Sequence, residues 1–321
     1  FKRHQHNGTV QLFADLDRFF DNGVMSPMKP VEIADGNHGV LESFGHFSPR
    51  MKKSHLFSVR YPRIVSETNQ RRLFMFTLPV VLGHRGARGV KTENTLEAFR
   101  YACQSGIRWV ELDAMLTKDG KVVVFHDEEL DRMAENATGR LDERTYAELQ
   151  NVVLKNNQKI PTLAEVLDVL NEYGACVNVE IKPSRPELGR ETARKVWEVV
   201  KEKGFDNPDR LYFSSFVWDA LEETQALAPH IRRGVLVEDV SGDWRPAAKK
   251  VDAYSINYDA DLLNPPLIKE ILDAGYRLLV YTVNDFDLAK SLRAQGAAGV
   301  FSDIPVQMAQ ALGVKLTVSA R

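Results

Sequence analysis

The chain has few cysteines and no long apolar run, and these two absences narrow the class of protein to which it can belong. Only Cys103 and Cys176 occur among the 321 residues, too few for a disulfide framework, which predicts a reducing, cytoplasmic location. No apolar run approaches the roughly 20 residues that a membrane-spanning helix needs. The first residues lack a signal-peptide pattern, because Asp15, Asp17 and Asp21 interrupt their apolar stretch. We therefore expect a protein without a transmembrane segment.

A large excess of charge of either sign is also missing. The formal net charge is −2 at pH 7, which gives no reason to expect nucleic acid as the partner. The charges are unevenly distributed, since residues 1–76 carry 11 basic and 7 acidic side chains. The sequence does not indicate an oligomeric state.

Residues 1–76 lack the regular spacing of a packed domain. Their apolar residues are scattered, and Asn, Gly, Ser and His are frequent. Only Val10–Phe20 has apolar residues at helical spacing. Two interpretations stay open, a mobile leader and a helix that docks on a partner or a membrane surface. We predict an N-terminal extension of unknown role over residues 1–76 and a barrel domain over residues 77–321.

From Pro79 onward, short β-rich runs alternate with helical stretches, which is typical of a parallel sheet. If one run, Val122–His126, is the hairpin return of the second strand, eight strands remain and predict a (β/α)8 TIM-like barrel. A doubly wound sheet is the alternative, but no Gly-rich phosphate loop follows the first strand. The predicted strands are Pro79–His84, Arg108–Asp113, Val122–His126, Cys176–Lys182, Arg210–Ser215, Arg232–Glu238, Ala253–Asn257, Arg277–Val283 and Gly299–Asp303, and the predicted helices include Asn94–Ser105 and Leu163–Glu172.

Acidic residues lie at the carboxyl ends of two neighbouring predicted strands, where the catalytic groups of a barrel gather. Glu111 and Asp113 are two apart and point to the same face, and Glu180 and Lys182 repeat this spacing. Three converging carboxylates repel one another unless a cation lies between them, and oxygen ligands favour Mg²⁺ or Ca²⁺. The alternative is an ion network in which these acids pair with Lys182 and Arg85.

Histidine is scarce beyond residue 76, where only His84, His126 and His230 occur. His84 and His126 end neighbouring strand segments, and a pair of imidazoles suits general acid–base catalysis near neutral pH. Arg85 suits bidentate binding of a phosphate. His230 follows Pro229 in a helix-ending stretch, so we predict that it lies on the surface.

Glu93 and Asn94 precede the first predicted helix. Asn94 is a suitable cap for that helix. Alternatively, the turn that contains Asn94 brings Glu93 into the acidic cluster.

The order and spacing of these motifs resemble those of the glycerophosphodiester phosphodiesterase family. The resemblance covers residues 79–312 and leaves residues 1–76 unexplained. It implies a TIM-barrel enzyme that hydrolyses small glycerophosphodiesters to sn-glycerol 3-phosphate and an alcohol, with a divalent cation, Mg²⁺ or Ca²⁺. The motifs are Gly83-His84-Arg85-Gly86, Glu93-Asn94-Thr95, Glu111-Leu112-Asp113, Asp119-Gly120, His126-Asp127, Ile160-Pro161-Thr162-Leu163, Glu180-Ile181-Lys182, Thr282-Val283-Asn284 and Ser302-Asp303-Ile304-Pro305.

The resemblance also implies a role for individual residues. Two positions depart from the family pattern, since Thr92 stands where proline is usual and Tyr281 where tryptophan is usual. The implied catalytic residues are His84 and His126, the phosphate- and substrate-binding residues are Arg85, Lys182 and Tyr281, and the metal ligands are Glu111, Asp113 and Glu180, with Glu93 as a further candidate.

Three alternatives to this function stay open. The first is a related phosphodiesterase that acts on lipids, such as a lysophospholipase D or a sphingomyelinase D. The second is a phosphatidylinositol-type phospholipase C, whose motifs fit less well. The third is a barrel that binds phosphate or lipid without catalysis, although neither histidine and none of the acids is missing.

Overall fold

The computed structural model describes residues 78–238 and 243–316. The predicted helix Val10–Phe20 lies outside them. The predicted domain boundary between residues 76 and 77 also lies outside them and stays a prediction.

Eight parallel strands with intervening helices form a closed barrel, which confirms the predicted TIM-like fold. The circle closes because the first strand pairs with both the second and the last one. In order around the barrel, the strands are β1 (Val81–Gly83), β2 (Trp109–Leu116), β4 (Cys176–Ile181), β5 (Leu211–Ser215), β6 (Arg232–Val237), β7 (Ser255–Asp259), β8 (Arg277–Tyr281) and β9 (Gly299–Ser302).

A ninth strand, β3 (Val122–Val124), confirms the predicted hairpin return. It runs antiparallel to the end of β2, with Ala114 opposite Val124. Gly120 forms the turn with a φ of +75°, a backbone conformation that suits glycine. The hairpin brings the segment after β3 back beside Asp113, whose carbonyl oxygen accepts from the backbone N–H of Phe125 over 3.0 Å.

Helices connect most of the strands, and polar side chains cap several of them. The predicted helix over Leu163–Glu172 begins and ends at these residues, with Thr162 and Glu165 forming a capping box. The helices are α1 (Leu96–Gln104), α2 (Tyr146–Leu149), α3 (Leu163–Glu172), α4 (Gly189–Glu202), α5 (Trp218–Leu227), α6 (Trp244–Lys250), α7 (Pro265–Asp273), α8 (Phe286–Ala294) and α9 (Pro305–Ala311). None of the helices in the described ranges is long and apolar enough to cross a membrane.

The alternation of side chains along β2 explains how the barrel separates its core from its site. Val110 and Leu112 face outward and join the apolar core between the strands and the helices. Glu111 and Asp113 face inward at the carboxyl end of the barrel. A second apolar cluster lies deeper inside the barrel and closes it below these acids; it contains Leu82, Trp109, Cys176, Tyr212, Leu279 and Phe301. The polar site therefore lies above an apolar floor.

Candidate active site

A cavity of about 240 Å³ opens at the carboxyl ends of the strands. Every predicted site residue except Glu93 lines it, although the predictions came from separate parts of the chain. The lining residues are His84, Arg85, Glu111, Asp113, His126, Asn178, Glu180, Lys182, Phe216, Leu236, Glu238, Tyr281, Thr282 and Phe301. The histidine that we predicted to lie on the surface, His230, is about half exposed and contacts Asp206.

The loop after β1 is tight, and its glycines make it so. A Cβ atom at Gly83 would lie 2.1 Å from the carbonyl oxygen of Gly86, and Gly86 itself has a φ of +84°. Between them, Arg85 has a φ of +48°, and its backbone N–H donates to Glu111 Oε2 over 2.8 Å. No other residue type fits at Gly83 without moving this loop, which ties Arg85 to the acid on β2.

Three buried carboxylates converge in the cavity. One oxygen each of Glu111, Asp113 and Glu180 lies within 4.8 Å of the others. Burial and the neighbouring acids raise the pKa of Glu111 well above its ordinary value. Burial also raises the pKa of Glu180, to about 7, although Lys182 opposes this shift.

These carboxylates fit a hard divalent cation. Among the described residues, Glu180 Oε1 is buried without a hydrogen-bond partner, and Lys182 Nζ lies 3.7 Å from it, beyond hydrogen-bond distance. A buried acceptor without a hydrogen bond is costly, and a bound cation would satisfy it. The donors are all oxygen atoms, as Mg²⁺ and Ca²⁺ prefer. The cluster can therefore hold a metal ion, and the donor set does not distinguish between these two ions.

Two basic side chains contact the same acids, as the alternative of an ion network predicted. Lys182 Nζ lies 3.4 Å from Asp113 Oδ1 and 3.7 Å from Glu180 Oε1, and Arg85 Nε lies 3.5 Å from Asp113 Oδ2. Burial alone would raise the pKa of Asp113, but these cations hold it below its ordinary value. The pKa of Glu111 and of Glu180 stays raised, so the network compensates only one of the three acids.

Glu93 lies outside the group of three carboxylates. Its Oε1 accepts hydrogen bonds from Arg85 Nη1 over 2.7 Å and from Arg132 Nη2 over 2.6 Å. Its Oε2 accepts from Arg88 Nε over 3.1 Å. Burial alone would raise the pKa of Glu93, but these guanidinium groups lower it to about 2. The geometry therefore favours Glu93 as a partner of arginines over Glu93 as a metal ligand.

Asn94 does not cap α1, and the adjacent residue does. Thr95 is the N-cap, and its hydroxyl accepts from the backbone N–H of Ala98. Asn94 has a φ of +56°, and its Nδ2 donates to Asp113 Oδ2 over 2.8 Å. The structure thus corrects the prediction of an Asn94 cap, since this side chain supports an acid of the cluster.

His84 is fixed by an aspartate from the last strand segment. Its Nδ1 lies 2.7 Å from Asp303 Oδ1. Asp303 accepts a second hydrogen bond from Asn284 Nδ2 over 2.8 Å. The pKa of Asp303 is below its ordinary value, so this carboxylate only accepts and the proton lies on Nδ1 of the imidazole. Nε2 of His84 remains for a substrate.

His126 is fixed in the same way by its neighbour. Its Nδ1 lies 2.6 Å from Asp127 Oδ1, and Asp127 Oδ2 accepts from Arg132 Nε over 2.5 Å. The pKa of Asp127 is also lowered, so the same argument leaves Nε2 of His126 unprotonated and available.

Burial lowers the pKa of both imidazoles below its ordinary value. The hydrogen bond to Asp303 opposes this shift at His84. The charge of Asp113 and the hydrogen bond to Asp127 oppose it at His126, whereas Lys182 and Arg85 add to it. The lowered pKa favours the neutral form of the imidazole, which is the form that a proton acceptor needs.

The profile of the Glycerophosphoryl diester phosphodiesterase family matches residues 84–307, well over half of the chain. The chain belongs to this family. The match confirms the resemblance that the motifs predicted, and it begins at His84.

Several relatives within and around this family support the assignment. A glycerophosphodiester phosphodiesterase of Caldanaerobacter subterraneus subsp. tengcongensis is 32% identical over 234 residues, which are 70% of this chain and 94% of the relative. An Oleispira antarctica phosphodiesterase, solved in complex with the product sn-glycerol-3-phosphate, is 36% identical with a TM-score of 0.69 and covers 74% of this chain and 97% of its own. A human lysophospholipase D is 31% identical over 156 residues, 44% of this chain and 46% of that protein.

Aromatic side chains form part of the cavity wall. The ring of Tyr281 packs edge-on against Phe216, with centroids 5.9 Å apart, and against Phe301 at 6.4 Å. Its hydroxyl donates to the carbonyl oxygen of Val237 over 2.7 Å. The position at which the family usually has tryptophan thus keeps an aromatic face, while its polar group is bonded to strand β6, two strands away around the barrel.

Sequence reasoning missed the residues that orient the two histidines. Asp127 and Asp303 were visible as parts of motifs, but nothing in the sequence assigned them to an imidazole. Asn284 and Arg132 gave less signal, since an asparagine after a strand and an arginine in a polar loop are common. Phe216 follows β5 directly, and its position at a strand end was the one signal that could have identified it.

Proposed function

We propose that this protein hydrolyses glycerophosphodiesters to sn-glycerol 3-phosphate and an alcohol. The observation that carries the proposal is the pair of imidazoles, each held through Nδ1 by an aspartate, in one cavity with the three clustered carboxylates and two cations. The product bound to the Oleispira antarctica relative supports glycerol phosphate as the shared part of the substrate.

The charged residues explain how the site receives an anionic phosphodiester. We propose Glu111, Asp113 and Glu180 as ligands of one divalent cation, Mg²⁺ or Ca²⁺. Such an ion, when bound, polarises a phosphoryl oxygen and stabilises the negative charge that develops during the reaction. Lys182 and Arg85 lie against the same acids and add positive charge at the phosphate.

The two histidines divide the proton transfers. One imidazole accepts the proton of the attacking hydroxyl at its free Nε2, and the other, protonated at Nε2, donates to the oxygen of the leaving alcohol. The attacking group is either the 2-hydroxyl of the substrate's own glycerol, which gives a cyclic phosphate, or water. We favour the 2-hydroxyl, because opening the cyclic phosphate with water then lets His84 and His126 exchange roles.

The aromatic part of the cavity wall suits the apolar parts of the substrate. Tyr281 and Phe216 offer ring faces and edges, and the Tyr281 hydroxyl is already bonded to the backbone. We therefore propose that Tyr281 contacts carbon atoms of the substrate and takes no part in proton transfer.

The decisive experiment is incubation with glycerophosphocholine and Mg²⁺ or Ca²⁺, with and without a chelator, while released glycerol 3-phosphate is measured. We expect metal-dependent release of glycerol 3-phosphate and choline. Glu180→Gln is the matched variant, since it keeps the side-chain size and removes one ligand charge. Release of phosphocholine, or no turnover with either metal, would contradict the proposal.

Lysophospholipids are a second class of candidate substrate, because a human lysophospholipase D matches part of the chain. Their phosphodiester carries the same glycerol phosphate with an acyl chain attached. Parallel assays with lysophosphatidylcholine, which would yield lysophosphatidic acid, distinguish the two classes. We expect faster turnover of glycerophosphocholine, because the cavity is small and its acids and cations occupy much of its wall.

The cytoplasm is the location that we propose for this reaction. Cys103 and Cys176 are both free and buried, as expected for a protein of a reducing compartment. Quantitative thiol labelling of the freshly isolated, denatured protein tests the proposal, with two reactive thiols per chain as the expected result.

A further inference from the structure

Arg132 lies outside the barrel, in the segment between β3 and α2, and joins two parts of the site. Its Nε donates to Asp127 Oδ2 over 2.5 Å. Its Nη2 and Nη1 donate to Glu93 over 2.6 and 3.0 Å. The planar guanidinium group thus bonds two carboxylates at once, a geometry that lysine cannot reproduce.

These contacts form a continuous chain of charged groups across the mouth of the barrel. It runs from Arg85 through Glu93, Arg132 and Asp127 to His126, and each step is a hydrogen bond of 2.5 to 2.7 Å. We propose that Arg132 is a positioning residue for His126, which it orients through Asp127 while Glu93 holds the guanidinium group in place. The proposal rests on the proposed function, in which His126 transfers a proton.

Asp127 requires such an anchor because of its place in the fold. It lies beyond the end of β3, and its carboxylate is bonded on one side to the imidazole and on the other to Arg132. Without the guanidinium group, the carboxylate keeps a single partner and can rotate with the imidazole. The proton on Nδ1 of His126 would then lose its fixed acceptor.

The loss of Arg132 should leave the phosphate-binding side of the site in place. Glu93 would still accept hydrogen bonds from Arg85 and Arg88, so Arg85 keeps its partner. Substrate binding and proton transfer are therefore expected to respond differently. Replacing Arg132 should lower kcat and change KM little.

The segment around Arg132 has its own apolar core, so the arginine is not needed to fold it. This core is separate from the main one and contains Leu130, Met133, Leu141, Leu149 and Leu154. A second arginine in the segment, Arg140, bonds Glu128, Asp142 and the carbonyl oxygen of Ser184, and it contacts neither histidine nor its aspartate. Arg140→Ala is therefore a matched control for the attachment of the segment.

The first experiment is a double-mutant cycle on kcat. We expect Arg132→Ala to lower kcat by about 10- to 100-fold, less than the loss of a proton-transferring group itself. In the His126→Ala background the same substitution should change kcat by less than about 2-fold, because no imidazole remains to be positioned. The proposal would be overturned if the losses in kcat from Arg132→Ala and His126→Ala multiplied in the double variant. It would also be overturned if Arg132→Ala alone kept the kcat of the unmodified protein.

Two further measurements separate positioning from general damage. Guanidinium ion, at concentrations that do not unfold the protein, should restore part of the kcat of Arg132→Ala. It should leave the kcat of Arg140→Ala unchanged, because that value should be near normal without the ion. Arg132→Lys, which keeps the charge without the fork, should fold and recover only part of the loss. Full activity of Arg132→Lys would contradict the proposal that the planar guanidinium group, bonded to two carboxylates, orients His126 through Asp127.

The last measurement does not depend on turnover, so it also separates this proposal from the proposed function. Nitrogen-15 NMR of the histidines reports which ring nitrogen carries the proton, with His126→Ala assigning the signal. We expect the Nδ1–H form of His126 in the unmodified protein and in Arg140→Ala, and a mixture of forms in Arg132→Ala. An unchanged signal in Arg132→Ala would reject positioning, even if the protein proved inactive on glycerophosphodiesters.

Discussion

His84 and His126 each contact an aspartate through Nδ1, but the two aspartates are held by different side chains. Asp303 accepts its second hydrogen bond from the neutral side chain of Asn284, with the cation Arg88 3.7 Å away, whereas Asp127 accepts a hydrogen bond directly from the cation Arg132. His84 is 11% exposed and is bound to strands of the barrel, whereas His126 is 28% exposed and follows a hairpin. The direct hydrogen bond to the aspartate is therefore neutral beside the more buried histidine and charged beside the more exposed one, where water competes for the carboxylate.

The strongest test removes one imidazole at a time. His84→Ala and His126→Ala should each lower kcat by roughly 10²–10⁴-fold, the range for lost acid–base catalysis. Because both act on one transition state, the double variant should lose much less than the product of the two effects. The measurement is steady-state kinetics with glycerophosphocholine.

A substrate with an acidic leaving group then assigns the two roles. A nitrophenyl phosphodiester needs no protonation of its leaving group, so it should largely rescue the variant that lacks the acid. The variant that lacks the base should stay slow. Equal losses with both substrates in both variants would reject a division of labour between the histidines.

Removal of the metal should stop turnover, and with it the proton transfers of both histidines. Exhaustive chelation is expected to abolish turnover, and Glu180→Gln should weaken metal binding in calorimetry while the thermal unfolding of the metal-free protein stays similar or improves. Because the pKa of Glu180 is about 7 and that of Glu111 is raised, metal binding must displace protons near neutral pH. The observed binding enthalpy should then depend on the ionisation enthalpy of the buffer, and full turnover after chelation would exclude the metal.

The pH profile should distinguish the two supports by a smaller effect. Each aspartate raises the pKa of its imidazole against the effect of burial, so Asp303→Asn and Asp127→Asn should each lower one histidine pKa further below its ordinary value of about 6.5. A lower pKa of the base moves the acid limb of kcat/KM to lower pH, and a lower pKa of the acid moves the basic limb to lower pH. Asp303→Asn and Asp127→Asn should therefore shift different limbs of the pH profile, both toward lower pH. If both variants shifted the same limb, the two histidines would not have separate acid and base roles.

Tyr281→Phe should have a smaller effect, because it touches neither histidine. It removes the hydrogen bond to Val237 and keeps the ring, which predicts a loss of about 0.5–1.5 kcal/mol in the free energy of unfolding. The value of kcat should change by less than about 3-fold, as a group without proton transfer requires. A loss of kcat comparable to that of a histidine variant would assign the phenol a chemical role.

Deletion of residues 1–76 should change the least. All the site residues lie beyond this segment, and domains of the size of the remaining chain fold independently. We expect kcat on glycerophosphocholine to stay within a few-fold of the full chain, with circular dichroism as the control for folding. An unfolded or inactive product would show that the barrel depends on this segment.

The barrel and its cluster of acids were predictable from the sequence because they follow from periodicity. Glu111, Asp113 and Glu180 share one face of neighbouring strands, and the period of two residues fixes that face regardless of side-chain conformation. The partners of His84 were not predictable in this way. Asp303 is 219 residues away along the chain, and only the closing of the barrel between β1 and β9 brings the two together.

The turn before α1 shows a second kind of limit. Of the two interpretations of this turn, the one in which Asn94 caps the helix was wrong by one residue, since Thr95 is the cap. Asn94 has a left-handed backbone conformation, which the sequence allows but does not require. Glu93 then points toward Arg132, which is 39 residues further on, and no local pattern connects the two.

The site is built from two structurally different parts, the barrel strands and the segment that follows the β2–β3 hairpin. Most of its groups lie on strands that also close the barrel, or directly after them, so their backbone positions cannot shift without moving the barrel wall. His126, Asp127 and Arg132 follow one another within a single excursion of the chain and have their own apolar support. A recipient barrel for this segment would therefore need two matching positions, an apolar side chain in place of Met115 on β2 and a glutamate in place of Glu93 to accept from the guanidinium group.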